Sequence, residues 1–293
     1  MCTKRLYNIS IELSRSNDQM SHNHQKKIAV INDFCGFGRC SIAVSLPIIS
    51  AMKIQCCPVP TSIFSNHTGY ASFYYTDYTE HMEAYIREWK KLDLQFEGIM
   101  TGFLGSPEQI DIVRRFLQEF KRENTVTVVD PVMGDNGKLY PTYLNELAER
   151  MATLVPYADI LTPNLTEACI LTKTEYRADM GADELTHICE SLCEMGPHLV
   201  VISGLERGDY MENFVFERGK APQIIREHKA GPCRAGTGDV FSSIIAADAV
   251  NGVGFADSVK HASSFIAKAM KRTFEMDLPH TDGICFEEFL SEI

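Results

Sequence analysis

The chain has 293 residues, 45% hydrophobic and 23% charged, with a formal net charge of −11. That is apolar material for a sizeable core, and the acidic balance disfavours a general nucleic-acid binder, because phosphate backbones are repelled. A phosphorylated small ligand stays open, since clustered backbone N–H groups bind phosphate inside an acidic protein.

Residues 1–25 are polar and lack the apolar stretch of a signal peptide. They are expected to form a poorly ordered extension, with Met20 a plausible alternative start and His22 and His24 in a solvated tail. Residues 26–293 are expected to form one domain. Lys26 to Asn32 is a short β-branched run typical of a buried parallel strand. A helix follows over Ser41–Met52, a strand over Ile54–Val59, a helix over Tyr78–Leu92 and a strand over Gly98–Gly102. Ser106-Pro107 opens a helix as N-cap and first-turn proline, and Val126–Asp130 is a strand ending on an acid. The alternation continues with a helix at Leu144–Leu154, a strand at Asp159–Thr162, helices at Leu165–Leu171 and Ala182–Glu194, and a strand at Leu199–Ser203. Phe214–Glu217 and Gln223–His228 read as a hairpin, and two apolar helices close the chain, Gly238–Val250 and Phe255–Phe274.

Strands alternating with helices predict an α/β fold, a mostly parallel sheet covered on both faces. Ligands of such sheets bind beyond the carboxyl ends of the strands, which directs attention to Asn32-Asp33, Thr61–Thr68, Gly102, Asp130, Asn164, Ser203 and the segment before Gly238. No run approaches the roughly 18 apolar residues of a membrane helix. The ten cysteines include no Cys-x-x-Cys pair, so they read as reduced thiols in a reducing compartment rather than a zinc or disulfide framework.

The strongest motif is Ala235-Gly236-Thr237-Gly238-Asp239-Val240-Phe241. Glycines before an apolar helix allow close backbone approach, and the helix N-terminus supplies N–H donors for an anion. Asp239 in the first turn is placed to take a proton from an attacking hydroxyl, although a dipole-stabilising Asp accounts for the same spacing. Asp130-Pro131-Val132-Met133-Gly134-Asp135 puts two carboxylates at the ligand edge, hard oxygens suited to Mg²⁺; a capping Asp with a Pro turn is the plainer reading. In Pro163-Asn164-Leu165-Thr166-Glu167, the Asn and Glu have capping-box spacing, and the Glu alternatively holds a metal-bound water. Phe64-Ser65-Asn66-His67-Thr68-Gly69-Tyr70 groups polar side chains after a strand, suited to a small polar ring. A Walker A loop is absent, and Gly36-Phe37-Gly38 fails the dinucleotide fingerprint because residue 41 is Ser.

Taken in order with Thr101-Gly102-Phe103-Leu104-Gly105, these segments resemble the ribokinase-like superfamily, and most of all its pyridoxal kinase branch. The resemblance spans nearly all of residues 28–245. It implies a three-layer sandwich, ATP and Mg²⁺ as cofactors, a cytoplasmic homodimer, and phosphorylation of a vitamin B6 vitamer. Asp239 would be the general base, and Gly236, Thr237 and Gly238 the anion hole. Asn164 and Glu167 would organise Mg²⁺ and its waters, Asp130 and Asp135 would support metal or phosphate, and Ser203 would lie near the triphosphate. Thr68, with Asn32 and Asp33, would contact the ring, and Tyr140 would cover the site as a flap. A requirement for a monovalent cation such as K⁺ stays open.

One segment departs from that branch, which commonly carries Ser-His after the first strand where this chain has Asn32-Asp33-Phe34. All three vitamers are therefore open, and Asp33 is a candidate partner for the amine of pyridoxamine. The alternatives are a hydroxymethylpyrimidine kinase of thiamine synthesis, a sugar kinase, and a non-catalytic nucleotide or B6 binder. Cys233 stands beside the anion-hole motif as a candidate for oxidation.

Overall fold

A computed structural model of the chain describes residues 21–140 and 145–293. Of the N-terminal extension only residues 21–25 fall among these, and there Asn23 donates to the Asp93 carbonyl (2.9 Å) and accepts from the Gln95 N–H (3.0 Å). The elements run β1 (Lys27–Cys35), α1 (Ile42–Ala51), β2 (Gln55–Phe64), β3 (Tyr75–Asp77), α2 (Thr79–Lys91), β4 (Gly98–Thr101), α3 (Pro107–Phe120), β5 (Val126–Val129), β6 (Gly134–Asp135), β7 (Lys138–Leu139), α4 (Asn145–Met151), β8 (Ile160–Leu161), α5 (Leu165–Thr172), α6 (Ala182–Glu194), β9 (Leu199–Arg207), β10 (Tyr210–Glu217), β11 (Gln223–His228), α7 (Thr237–Asn251) and α8 (Phe255–Glu275).

Among the described residues nine strands form one sheet in the order β11-β10-β9-β8-β5-β4-β1-β2-β3. The six central strands, β9 through β2 in that order, are parallel, and β10, β11 and β3 add antiparallel edges. The chain runs from β1 to β2 on one side, then returns to β4 on the other. That reversal beside β1 is the switch point at which such sheets open a crevice.

Strand alternation builds two cores. Ala29 and Ile31 of β1 join one apolar cluster with Ile110, Phe116, Leu165 and Leu192 from α3, α5 and α6. Ile28 and Val30 join the other, with Ile48, Ile244, Ile245 and Val259 from α1, α7 and α8. β1, β4, β5 and β8 are buried on both faces, which is why they read as short continuous apolar runs rather than alternating ones. At α3 the Ser106 hydroxyl accepts the Gln109 N–H (3.2 Å) and Pro107 fills the first position, as the sequence predicts.

Three features exceed the sequence-based expectation. β3 is a three-residue edge strand. β9 and β10 extend past Ser203 and before Phe214 into a longer antiparallel pair. Residues 134–139 make a small hairpin, β6–β7, over Asn136-Gly137, whose φ angles of 50° and 75° match the left-handed turn this dipeptide favours. The helix predicted from Leu144 is described from Asn145.

Candidate active site

Every residue to which the resemblance gives a role lines one cavity of about 600 Å³ over the carboxyl ends of the parallel strands, whereas Gly102 and Tyr70 do not line it. β1 delivers Asn32 and Asp33, β5 ends at Asp130, α5 begins at Asn164 and Glu167, β9 carries Ser203, and α7 opens on Gly236–Asp239. Thr68, exposed, sits at the rim, and Tyr140 and the exposed Asp135 lie on the β6–β7 hairpin side.

The α7 entrance is shaped by Gly236, whose φ of 85° is left-handed. A Cβ there would stand 2.0 Å from the Arg39 carbonyl oxygen, so only glycine fits. At Gly238 the equivalent Cβ meets nothing within 4 Å, since that position faces the cavity. The N–H groups of the first turn have no helical acceptors, so Gly236, Thr237 and Gly238 present backbone donors with the positive end of a 15-residue helix behind them.

Asp239 stands at the centre. Its Oδ1 accepts from Asn32 Nδ2 at 3.1 Å, and the backbone N–H of Ser41 donates to the same carboxylate. Enclosure pushes its pKa above the ordinary carboxylate value, while the Ser41 and Asn32 donors oppose that shift. Asn32 in turn accepts the Phe103 and Asp33 N–H groups on Oδ1 (2.8 and 2.9 Å). Its side chain lies over Gly102, where a Cβ would come within 2.5 Å of it. Asp33 is raised to about 7 by burial, with the Ser41 hydroxyl opposing and the Asp239 charge adding to the rise. Asp130, raised to about 7 by burial, accepts from Ser242 Oγ at 2.7 Å.

Glu167 and Asn164 form the predicted capping box. Asn164 Oδ1 accepts the Glu167 N–H (3.0 Å) and Glu167 Oε2 accepts the Asn164 N–H (2.9 Å). Glu167 Oε1 also accepts the Met133 N–H (3.0 Å), and Asn164 Nδ2 donates to the Gly134 carbonyl (2.7 Å). The pair therefore clamps the 130–139 segment onto α5. Burial, then the nearby Asp130, drive Glu167 well above the usual carboxylate range. Among the described residues no three acidic, His or Cys side chains gather into a cation cage. Hard oxygens spread as Asp130, Asp135 and Glu167 are spread fit Mg²⁺ bound through few protein ligands, with phosphate and water completing the shell.

The sequence pattern did not pick out Ser41 or Ser242. Ser242 is three residues after Asp239 on α7, so helical spacing brings it to the same face. Ser41 has no such signal: it holds φ 61° at the start of α1. Of the 64–70 segment, Phe64, His67 and Thr68 line the cavity. Tyr70 instead donates to Asp282 Oδ1 (3.2 Å), and His67 Nε2 lies 2.7 Å from the Thr281 carbonyl, tying this loop to the C-terminal turn. Cys233 is exposed, and its Sγ lies 3.4 Å from Thr237 Oγ1 beside the anion-hole turn.

Residues 42–283 match the phosphomethylpyrimidine kinase family. The chain is 33% identical over 213 residues to the pyridoxal kinase of Ovis aries, covering 63% of this chain and 64% of that one, under two thirds of the relative's length. It is 27% identical over 236 residues to the thiamine biosynthetic bifunctional enzyme TH1 of Arabidopsis thaliana, covering 78% of this chain and 43% of that one. A Bacteroides thetaiotaomicron protein assigned as a phosphomethylpyrimidine kinase superposes with a TM-score of 0.91 at 37% identity, covering 93% of this chain and 95% of that one. A second crystal form of that protein contains pyridoxal, with a TM-score of 0.87 at 36% identity and coverage of 92% and 95%. The layered sheet is the ribokinase-like arrangement, and the chain belongs to the phosphomethylpyrimidine kinase family.

Proposed function

We propose that the protein transfers the γ-phosphoryl group of ATP to the hydroxymethyl oxygen of a vitamin B6 vitamer, pyridoxal, pyridoxine or pyridoxamine, in salvage toward pyridoxal 5′-phosphate. The observation that carries this reading is Asp239 in the first turn of α7, bonded to Asn32 and facing the cavity next to the Gly236–Gly238 donors. The Asp239 carboxylate takes the hydroxyl proton as that oxygen bonds to the γ-phosphorus. The bond to the β-phosphate bridging oxygen breaks, and ADP leaves. N–H groups of Gly236, Thr237 and Gly238 meet the negative charge on the transferring group.

Asp130, Asp135 and Glu167 are the residues that would hold Mg²⁺, directly or through water; the ion supplies charge neutralisation along the triphosphate. Ser203 lies near the phosphates. Phe64 and Phe103, in edge-to-face contact at 6.2 Å, offer an apolar wall for the ring, with Thr68 and Asn32 as its polar contacts. Tyr140 covers the mouth. Residues 26–293 act as one kinase domain. A homodimer is supported by the sheet edge at β3, unpaired among the described residues, where Ile63, Phe73, Tyr74 and Tyr75 are all exposed. A reducing, cytoplasmic setting is supported by nine unpaired cysteines among the described residues.

The test is ADP release with MgATP and pyridoxal, pyridoxine, pyridoxamine, hydroxymethylpyrimidine or ribose. Turnover of a B6 vitamer, lost by roughly a hundredfold or more in Asp239→Asn with ATP binding retained, is the expected result. A second reading, hydroxymethylpyrimidine kinase, is favoured by the family match over residues 42–283; turnover of the pyrimidine alone would establish it.

A further inference from the structure

The cavity floor carries two neighbouring carboxyl groups where proton abstraction needs one. Asp33 is 6% exposed and lines the cavity with Asp239. One frame holds both. Asn32 donates Nδ2 to Asp239 and accepts the Asp33 N–H on Oδ1. Ser41 gives its backbone N–H to Asp239 and its hydroxyl to Asp33. Ser41 does so at φ 61° and ψ −142°, a conformation costly to a non-glycine residue and kept where surrounding structure enforces it.

No cation answers Asp33 among the described residues lining the cavity. Lys229 pairs with Glu206 at 2.7 Å. Arg234 donates to the Leu278 and Pro279 carbonyls and lies 4.9 Å over the Phe274 ring. His67 faces the Thr281 carbonyl, and His228 packs on Tyr210. A buried carboxyl without a counter-charge weakens the fold, and such groups gather where a ligand supplies the partner.

We propose that Asp33, positioned by Ser41, is a specificity-determining residue that selects a ring bearing an N–H group on the carbon next to the one that carries the reacting hydroxymethyl. This rests on the kinase reading above. With the hydroxymethyl oxygen on Asp239, the substituent on the adjacent ring carbon reaches the second carboxyl. The aminomethyl cation of pyridoxamine makes a charge-assisted hydrogen bond there. The corresponding hydroxymethyl of pyridoxine makes a neutral one, and the aldehyde of pyridoxal has no donor. Hydroxymethylpyrimidine carries an amino group at the same relative position, so the device applies to the pyrimidine as well.

The experiment compares kcat/KM for pyridoxamine, pyridoxine and hydroxymethylpyrimidine in the wild type, Asp33→Asn, Asp33→Ser and Ser41→Gly, with melting curves to verify folding. The wild type is expected to favour pyridoxamine over pyridoxine by about tenfold or more. Asp33→Asn and Asp33→Ser bring that ratio to about one. Ser41→Gly keeps the N–H on Asp239 but removes the hydroxyl from Asp33, and moves the ratio in the same direction, which a purely structural role does not do. A wild-type ratio of one or less, or a ratio unchanged in Asp33→Asn, overturns the proposal. If only the pyrimidine is turned over, the B6 reading fails while the role of Asp33 stands, provided Asp33→Asn lowers that kcat/KM about tenfold; an unchanged value overturns it. Turnover of none of the three overturns the role of Asp33, and the kinase reading fails with it only when pyridoxal is not turned over either.

Discussion

Asn32 and Asp239, 207 residues apart, are joined by a 3.1 Å hydrogen bond from the amide of β1 to the carboxylate at the head of α7. Asn32 is itself fixed by the Phe103 and Asp33 N–H groups, so the first strand sets the aim of the base. A donor to the charged form lowers a carboxylate's pKa. Asn32→Ala is therefore expected to raise the Asp239 pKa further and move the acid limb of the kcat/KM profile to higher pH, with a loss of about tenfold or more at neutral pH. It also strands two N–H groups, at a cost of about 1–3 kcal/mol in urea unfolding. A profile from pH 5.5 to 9 with an unmoved acid limb would show that Asn32 does not tune the base.

The two glycines flanking Thr237 are expected to fail differently. Gly236→Ala forces a methyl to 2.0 Å from the Arg39 carbonyl at a φ of 85°, so the backbone must shift. A stability loss of about 2 kcal/mol or more is expected, with activity lost alongside. Gly238→Ala meets nothing within 4 Å of the protein itself. It should melt close to the wild type while its methyl, in the space where phosphate would sit, lowers activity by an order of magnitude or more. Thermal melts and ADP release on both variants separate the architectural glycine from the ligand-facing one.

Most of this fold was readable because buried parallel strands and amphipathic helices carry strong patterns. Ala182–Glu194 is a helix over the predicted span, and Ser106-Pro107 caps α3 as its chemistry requires. β3 was not readable: all three of its residues are exposed, so no burial pattern marks it. The β6–β7 hairpin carried a usable signal in Asn136-Gly137, but strands of two residues have no period to detect. The site was legible to the extent that its residues follow strands or open helices. Ser41 was not, since its role depends on a backbone conformation its residue type disfavours. The loop at 64–70 was legible as polar but not in its division of labour. Tyr70 meets Asp282, and a contact across 212 residues leaves no local trace.

Glu167 has both a capping and a metal reading, and its hydrogen bonds make the first a stability prediction. With Oε1 on the Met133 N–H and Oε2 on the Asn164 N–H, removal of the carboxylate unties the 130–139 segment from α5. Glu167→Ala is expected to lose about 2–4 kcal/mol in urea unfolding, equally with and without Mg²⁺. Near-normal stability, with only the Mg²⁺ dependence of ATP binding altered, would show that the capping bonds carry little of the fold's stability and that the metal role stands alone.

Asp33 makes a pH-dependent stability prediction with a definite sign. Burial raises its pKa from 3.8 to about 7. The native state therefore holds a proton that the unfolded chain releases first. For a raised carboxyl, the associated stability is complete below the unfolded value and is lost as pH rises through the folded one. Wild-type protein should thus lose stability relative to Asp33→Asn between pH 5 and pH 8, by about 3 kcal/mol at the scale of 1.36 kcal/mol per pKa unit. Urea unfolding of both proteins at the two pH values measures the difference directly. If the gap between them is constant, Asp33 is ionised throughout and must have a positive partner in the free protein. Where the gap opens as expected, adding pyridoxamine at pH 8 should narrow it by stabilising the wild type, because the amine supplies the missing charge.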